Sequence, residues 1–255
     1  MLQSAPDKTQ PKFINSFIQH LNKLGKYKTL LSVVVPSFNE EPTIGDVISR
    51  LKTTLQRIGL SYEIIVVDDC SEDRSVEISK NQNVQVYSLK RHMGKGYALR
   101  AGFAKAKGEI IATIDSDRSH RPEELSLLLT PILQNKADMV IGSRFSSEKP
   151  VSGKTFNAAG VRIFNLLIRI FTNAAVSDSQ SGYRVMRSAV LKNLRLSSGG
   201  YEIESEILVK TALRGFRVRE VPISFEQRTY DRSRLDPIVD GFRILLSIIT
   251  SYMKG

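Results

Sequence analysis

From Leu30 onward the chain alternates short, continuous β-branched apolar runs with longer stretches of helical periodicity. The runs are LLSVVVPSF (30–38), YEIIVVDDC (62–70), VQVYSLK (84–90), EIIATIDSD (109–117) and MVIGSRF (139–145). Unbroken Val/Ile runs predict strands buried on both faces. Between them, TIGDVISRLKTTLQRI (43–58) and PEELSLLLTPILQN (122–135) read as helices, the second opening on a proline with acids beside it. Strand and helix in alternation predict an α/β fold with a mainly parallel central sheet flanked by helices.

After residue 150 the pattern loosens. A basic amphipathic helix is expected around 161–171, a helix from Glu202, a strand at 218–226 and an apolar helix over 236–255. No Pro/Gly-rich linker separates the halves, so one domain is expected over 29–245, divided into 29–150 and 151–245. Residues 1–28 form an extension in which Phe13, Ile14, Phe17, Ile18, Leu21 and Leu24 keep helical spacing among lysines. Such a helix suits an anionic bilayer surface or the flank of the domain. No stretch reaches the roughly 20 apolar residues of a spanning helix, and the first residues, MLQSAPDKTQPKF, lack the apolar core of a signal peptide, so no membrane crossing is expected.

Charge refines this picture. The net charge is +11, but residues 1–28 contribute five Lys against one Asp, residues 29–150 contribute 16 cations and 16 anions, and the remainder 16 cations against nine anions. A neutral centre between basic flanks argues against a nucleic-acid binder, as does the lack of an aromatic-basic RNA pattern. A single cysteine, Cys70, excludes an internal disulfide and a thiolate metal cluster, in keeping with a reducing compartment.

In parallel sheets, ligands gather beyond the carboxyl ends of the strands. Three runs end there in polar clusters: Asn39-Glu40-Glu41, Asp68-Asp69 and Asp115-Ser116-Asp117. Two carboxylates at a bending strand end suit Mg²⁺ or Mn²⁺ shared with phosphate oxygens, although Asp117 could instead cap the following helix. Of Asp68 and Asp69, one can accept helix N–H groups and the other bind ribose or base. In HMGKGYALRAG, Gly94 and Gly96 flank Lys95 before a helix and offer N–H groups and an ammonium to an anion. His20, His92 and His120 have no metal-ligand spacing, and the run FEQRTYDRSRL (225–235) is either a solvated face or an anion cage.

Taken in order, VVVPSFNEE, VVDDCSEDRS, HMGKGYALRAGF, IDSDRSHRPEEL, VIGSRF, SQSGYRVM, GYEIESEI and EVPISFEQRTYDRSRL resemble the family 2 glycosyltransferases of GT-A fold, most of all the polyprenyl-phosphate (dolichol-phosphate) mannose and glucose synthases. The resemblance implies a nucleoside site of Pro36, Phe38, Glu40 and Asp68 with Asp69 and Lys95 nearby, a metal site of Asp115, Asp117 and Ser119, and phosphate contacts from Arg144, Arg228, Ser233 and Arg234. Asp117, Arg144, Arg228 and Arg234 would serve catalysis. It also implies a GDP-mannose or UDP-glucose donor, a polyprenyl or dolichyl phosphate acceptor, inversion at the anomeric carbon, and a peripheral position on the cytoplasmic face of a membrane. Three departures stand out: Phe38 for the usual Tyr, His92 for a common Asn, and Asp231-Arg232-Ser233-Arg234 where Gly-x-Ser-Lys is frequent. A family 2 enzyme acting on a sugar hydroxyl would need a carboxylate base, for which Glu202 and Glu204 are the candidates.

Overall fold

The computed structural model describes residues 30–145, 158–226 and 236–254. The 1–28 extension and the segment holding Arg228, Asp231, Arg232, Ser233 and Arg234 therefore lie outside the described residues. In chain order the elements are β1 (Leu31–Ser37), α1 (Ile44–Ile58), β2 (Tyr62–Asp68), α2 (Ser75–Asn81), β3 (Gln85–Ser88), α3 (Lys95–Lys105) and β4 (Ile110–Thr113). A 3₁₀ turn at Pro122–Glu124 leads into α4 (Leu125–Leu133), and β5 (Met139–Ser143), α5 (Ala158–Thr172), β6 (Arg184–Arg187), α6 (Ser188–Lys192), α7 (Ile203–Leu213), β7 (Val218–Pro222) and α8 (Val239–Lys254) follow.

Among the described residues the strands form one seven-stranded sheet in the order β3-β2-β1-β4-β6-β5-β7. The pairs β1/β2, β1/β4, β2/β3 and β5/β7 are parallel, as the alternation of elements predicts. The exception is β6, antiparallel to both β4 and β5. Its sequence, RVMR, carries arginine at both ends and has no strand signature, so the sequence gives no sign of it.

The pleat divides the core. Leu31, Val33 and Val35 of β1 point to the side covered by α1 and α4, whereas Val34 points to the side covered by α3, α5, α7 and α8. Helix α1 buries Ile44, Val47, Ile48, Leu51, Leu55 and Ile58, an i, i+3, i+4 stripe, and ends on Gly59 in the left-handed conformation at φ 75°. Each such side chain is worth about 1.5–3 kcal/mol of burial.

The central strands β1, β2 and β4 run parallel toward the three polar clusters, β1 and β2 ending opposite each other at Ser37 and Asp68 and β4 stopping at Thr113, opposite Val34. Beyond each end the chain turns sharply: Asn39 (φ 51°), Cys70 (φ 68°) and Arg118 (φ 64°) all take left-handed backbone conformations. For non-glycine residues these are costly, and such strain collects where function requires the chain to turn.

Candidate active site

At the end of β1, Asn39 Oδ1 accepts the Glu72 N–H at 2.8 Å while the Asn39 N–H donates to Ser71 Oγ at 2.8 Å, lacing this loop to the one after β2. The Phe38 ring stacks on His92, with centroids 4.0 Å apart and planes 23° from parallel. The two departures from the family pattern in this region therefore face each other. His92 Nδ1 also lies 2.8 Å from Asp69 Oδ2. Glu40 accepts the Thr43 hydroxyl at 2.8 Å, and the Ser116 hydroxyl donates to the Pro36 carbonyl at 2.9 Å, tying the β4 turn to β1.

Asp68 and Asp69 are both buried. Asp68 accepts the Ser71 N–H and hydroxyl, whereas Asp69 accepts the N–H groups of Met93 (2.8 Å) and Gly94 (2.7 Å). Two N–H groups at the start of the glycine loop, those of Met93 and Gly94, are thus taken by Asp69. The N–H of Tyr97 bonds to Gly94 O and Gly199 O. Gly94 has φ 100°, and a Cβ on Gly96 would stand 2.5 Å from the Ser198 carbonyl, so only glycines let this loop dock on residues 198–200.

That docking drives Lys95 inward. Its Nζ lies 2.7 Å from Asp115 Oδ1 and 2.7 Å from Glu204 Oε1. Burial by itself lowers the ammonium's pKa, but Asp115 and Glu204 outweigh it and hold Lys95 protonated above the ordinary lysine range. One cation cannot neutralise two carboxylates, of which Glu204 is buried and Asp115 partly buried, and burial pushes Glu204 upward against the pull of Lys95. Asp115 fits against the chain because Gly182 has no side chain, for a Cβ there would meet Asp115 Oδ2 at 2.5 Å. The Gly182 carbonyl in turn accepts the Thr113 hydroxyl at 2.7 Å.

Asp117 does not cap a helix. Its Oδ1 accepts the Ser119 N–H at 2.9 Å, folding the turn after β4, and the N-cap of the 3₁₀ turn is Arg121. Buried His120 packs beside Tyr183 and Phe225, with Nδ1 3.9 Å from Asp115 Oδ2. Burial lowers its pKa, leaving the ring neutral at pH 7. Arg144, at the end of β5, grips Asp178 with Nε at 2.7 Å and Nη2 at 2.8 Å. Of the candidate bases, Glu202 Oε1 accepts the N–H groups of Gly199 and Gly200, and Glu204 holds Lys95.

Asp115, Asp117 and Ser119 carry oxygen donors of the kind Mg²⁺ and Mn²⁺ prefer, and the Asp115 carboxylate occupies the space that Gly182 leaves. Among the described residues no group of three or more His, Cys, Asp and Glu converges on one point. A cation here would therefore complete its shell with ligand oxygens and water, as diphosphate-bound Mg²⁺ does.

The sequence profile of Glycosyl transferase family 2 matches residues 32–195, most of the chain. The chain belongs to this family. It is a glycosyltransferase, similar over 92% of its length (33% identity) to an uncharacterised protein of Methanocaldococcus jannaschii, 95% of which is covered. It is 32% identical to the low-salt glycan biosynthesis hexosyltransferase Agl6 of Haloferax volcanii and 31% identical to the dolichol-phosphate mannosyltransferase of Pyrococcus furiosus, over 84% and 80% of the chain. It spans only 51% and 59% of those two proteins. Among solved structures, the glucosyl-3-phosphoglycerate synthase of Mycobacterium tuberculosis, held with Mn²⁺, UDP and phosphoglyceric acid, superimposes with a TM-score of 0.74 at 22% identity, covering 98% of this chain and 84% of that one. The mannosyl-3-phosphoglycerate synthase of Rubrobacter xylanophilus gives 0.70 at 22% identity, over 93% and 76%. These structures share the GT-A fold of this chain.

Several members of the site make contacts that only the folded chain reveals. Arg184 is fully buried and donates to three backbone carbonyls, those of Ser181, Glu204 and Ser179, at 2.6–2.8 Å. Gly182, Arg184 and Asp178 lie in one stretch, SDSQSGYRVMR, and their roles become visible only once the fold brings that stretch against β4 and β5.

Proposed function

We propose that this family 2 transferase moves a hexose from GDP-mannose or UDP-glucose to a polyprenyl phosphate while resting on a membrane surface. The observation that favours a lipid acceptor over a small phosphorylated acid is the outer face of α5 and α8. Among the described residues, ten of the thirteen exposed large hydrophobic side chains lie on these two helices or on Ile238 just before α8. On α8, Val239, Phe242, Leu246, Ile249 and Met253 form an outward stripe opposite the inward Asp240, Ile244, Ser247, Ile248 and Ser251. On α5 the outward stripe is Ile163, Leu166 and Ile170. The helices touch through stacked Phe171 and Tyr252, with centroids 4.6 Å apart.

The exposed charges on both helices are all cationic: Arg162, Arg169, Arg243 and Lys254. The one acid in either helix, Asp240, is buried on the Asp236 N–H. An apolar stripe edged with cations is what an anionic bilayer surface binds. Among the described residues no helix is long and apolar enough to cross a membrane.

In this reading Pro36, Phe38, Glu40, Asp68 and Asp69 surround the nucleoside, Lys95 lies toward the donor diphosphate, and Arg144 lies toward the acceptor phosphate. Asp115, Asp117 and Ser119 would hold Mg²⁺ or Mn²⁺, which supplies charge for the departing nucleoside diphosphate. Arg228, Ser233 and Arg234 remain part of the proposal. The chain enters their segment from Glu226, whose N–H donates to the Ser119 carbonyl at 3.0 Å. An acceptor phosphate is already anionic and needs no strong base, which agrees with Glu202 and Glu204 being engaged elsewhere. The chemistry then rests on positioning and charge, with in-line attack inverting the anomeric centre.

The test is sedimentation with vesicles containing anionic lipid. Phe242→Ser, Leu246→Ser and Ile249→Ser together should weaken vesicle binding about a hundredfold or more, since each side chain carries roughly 1.5–3 kcal/mol of apolar transfer. Nucleotide binding should stay intact. Unchanged sedimentation would remove this face from the account.

A further inference from the structure

We infer that Asp178, a residue to which no role attaches in the reading above, is the positioning residue for Arg144 and sets how that arginine meets the acceptor phosphate. The inference rests on the proposal that Arg144 contacts a phosphate. Asp178 is fully buried, and its carboxylate receives three donors from one residue: the N–H of Arg144 at 3.0 Å, Nε at 2.7 Å and Nη2 at 2.8 Å. The fork fixes the guanidinium plane, and Nη1 makes no hydrogen bond among the described residues. Phe145 and Phe225 lie 5.7 and 5.4 Å from the guanidinium carbon.

A carboxylate this buried is useful as a positioning group only if it is itself immobile, and the structure holds it from two sides. From β7, Glu220 accepts the N–H groups of Ser177 (2.7 Å) and Asp178 (2.8 Å) and the Ser177 hydroxyl (2.9 Å). From α5, Asn165 donates to the Ser177 carbonyl at 2.7 Å and accepts the Ser179 N–H at 3.2 Å. Asn165 lies between Ile163 and Leu166, so the helix carrying the apolar outer stripe is tied through one loop to the arginine. The pair gives up net charge for geometry, because a paired arginine attracts an anion less than a lone one does. What it gains is a guanidinium whose rotamer is already set, worth about tenfold to thirtyfold for a long side chain.

A double-mutant cycle on the full chain tests this. Asp178→Asn keeps the shape but turns an amide donor toward the fork. With Arg144 present it should lower kcat/KM for the acceptor about tenfold to thirtyfold. In an Arg144→Met background the same change should cost less than about twofold. Glu220→Gln, one step further from the arginine, should give a smaller loss that also vanishes in that background. Calorimetric binding of UDP or GDP with Mn²⁺ should be unaffected by Asp178→Asn. Losses that simply multiply, or a parallel fall in nucleotide affinity, would show a merely structural role and overturn the inference.

Two arms separate its failure from failure of the lipid reading. The cycle is run with a polyprenyl phosphate and with 3-phosphoglycerate, so turnover of the second alone refutes the lipid acceptor while the cycle still decides the role of Asp178. Independently of any acceptor, the Arg144 Nε–H resonance, assigned by its loss in Arg144→Lys, should exchange slowly in the wild type. It should broaden in Asp178→Asn, and an unchanged signal would overturn the inference.

Discussion

Lys95→Met leaves the carboxylates of Asp115 and Glu204 facing each other without their shared cation. The ammonium lies 2.7 Å from both, in a place where the lysine side chain is only 15% exposed and that of Glu204 4%. At an effective dielectric constant of about 20, each contact has a Coulomb energy near 6 kcal/mol, most of which is offset by desolvation. The net cost of removing one member of such a cluster is about 3–5 kcal/mol. Against a total stability of about 5–15 kcal/mol this is large. With a urea slope near 3 kcal/mol/M, the unfolding midpoint should fall by about 1 M or more. Adding Glu204→Gln removes one of the two orphaned charges, so the double variant should be more stable than Lys95→Met alone. A midpoint shift under about 0.2 M, or costs that add without coupling, would refute this reading of the cluster.

Other expectations follow from the same geometry. Asp117→Asn should abolish transfer and lower Mn²⁺ affinity in the presence of nucleotide, and chelation of divalent metal should stop turnover until Mn²⁺ or Mg²⁺ is restored. The anomeric configuration of the product, read by NMR, should be opposite to that of the donor, and retention would defeat the proposed in-line attack. Glu63 offers a pH test: burial raises its pKa, but bonds from the Ser32 hydroxyl, the Lys107 N–H and Gln85 outweigh this and hold it below the usual glutamate range. Its stabilising effect is therefore present above the unfolded value and lost as pH falls through the folded one. Glu63→Gln should cost about 1–3 kcal/mol at pH 7 by urea unfolding, and the deficit should shrink below about pH 4.

The parts of the fold legible in the sequence are those whose signal is local. Val33, Val34 and Val35 announce a strand buried on both faces, and the strand is there. The I-D-S-D run announces a site at a strand end, and Asp115 and Asp117 stand beyond β4. Long-range relations leave no such trace. Lys95 reads as an anion-binding lysine on an open helix start, yet its partners are Asp115 and Glu204, the second more than a hundred residues away. Arg184 lies in a run that carries the family resemblance, but what buries it, three carbonyls supplied by a turn and by α7, exists only in the folded chain. The same holds for β6, which forms through its neighbours β4 and β5 and not through its own composition. Gly182 is visible as a glycine, but not as the space into which Asp115 fits.

The proposed polyprenyl phosphate acceptor is open to a direct assay. Purified protein with Mn²⁺ and radiolabelled GDP-mannose or UDP-glucose, supplied with a polyprenyl phosphate in vesicles, should form an organic-extractable hexosyl-phospholipid that is sensitive to mild acid. Label transferred only to 3-phosphoglycerate or to a sugar hydroxyl, with none in the lipid phase, would contradict it.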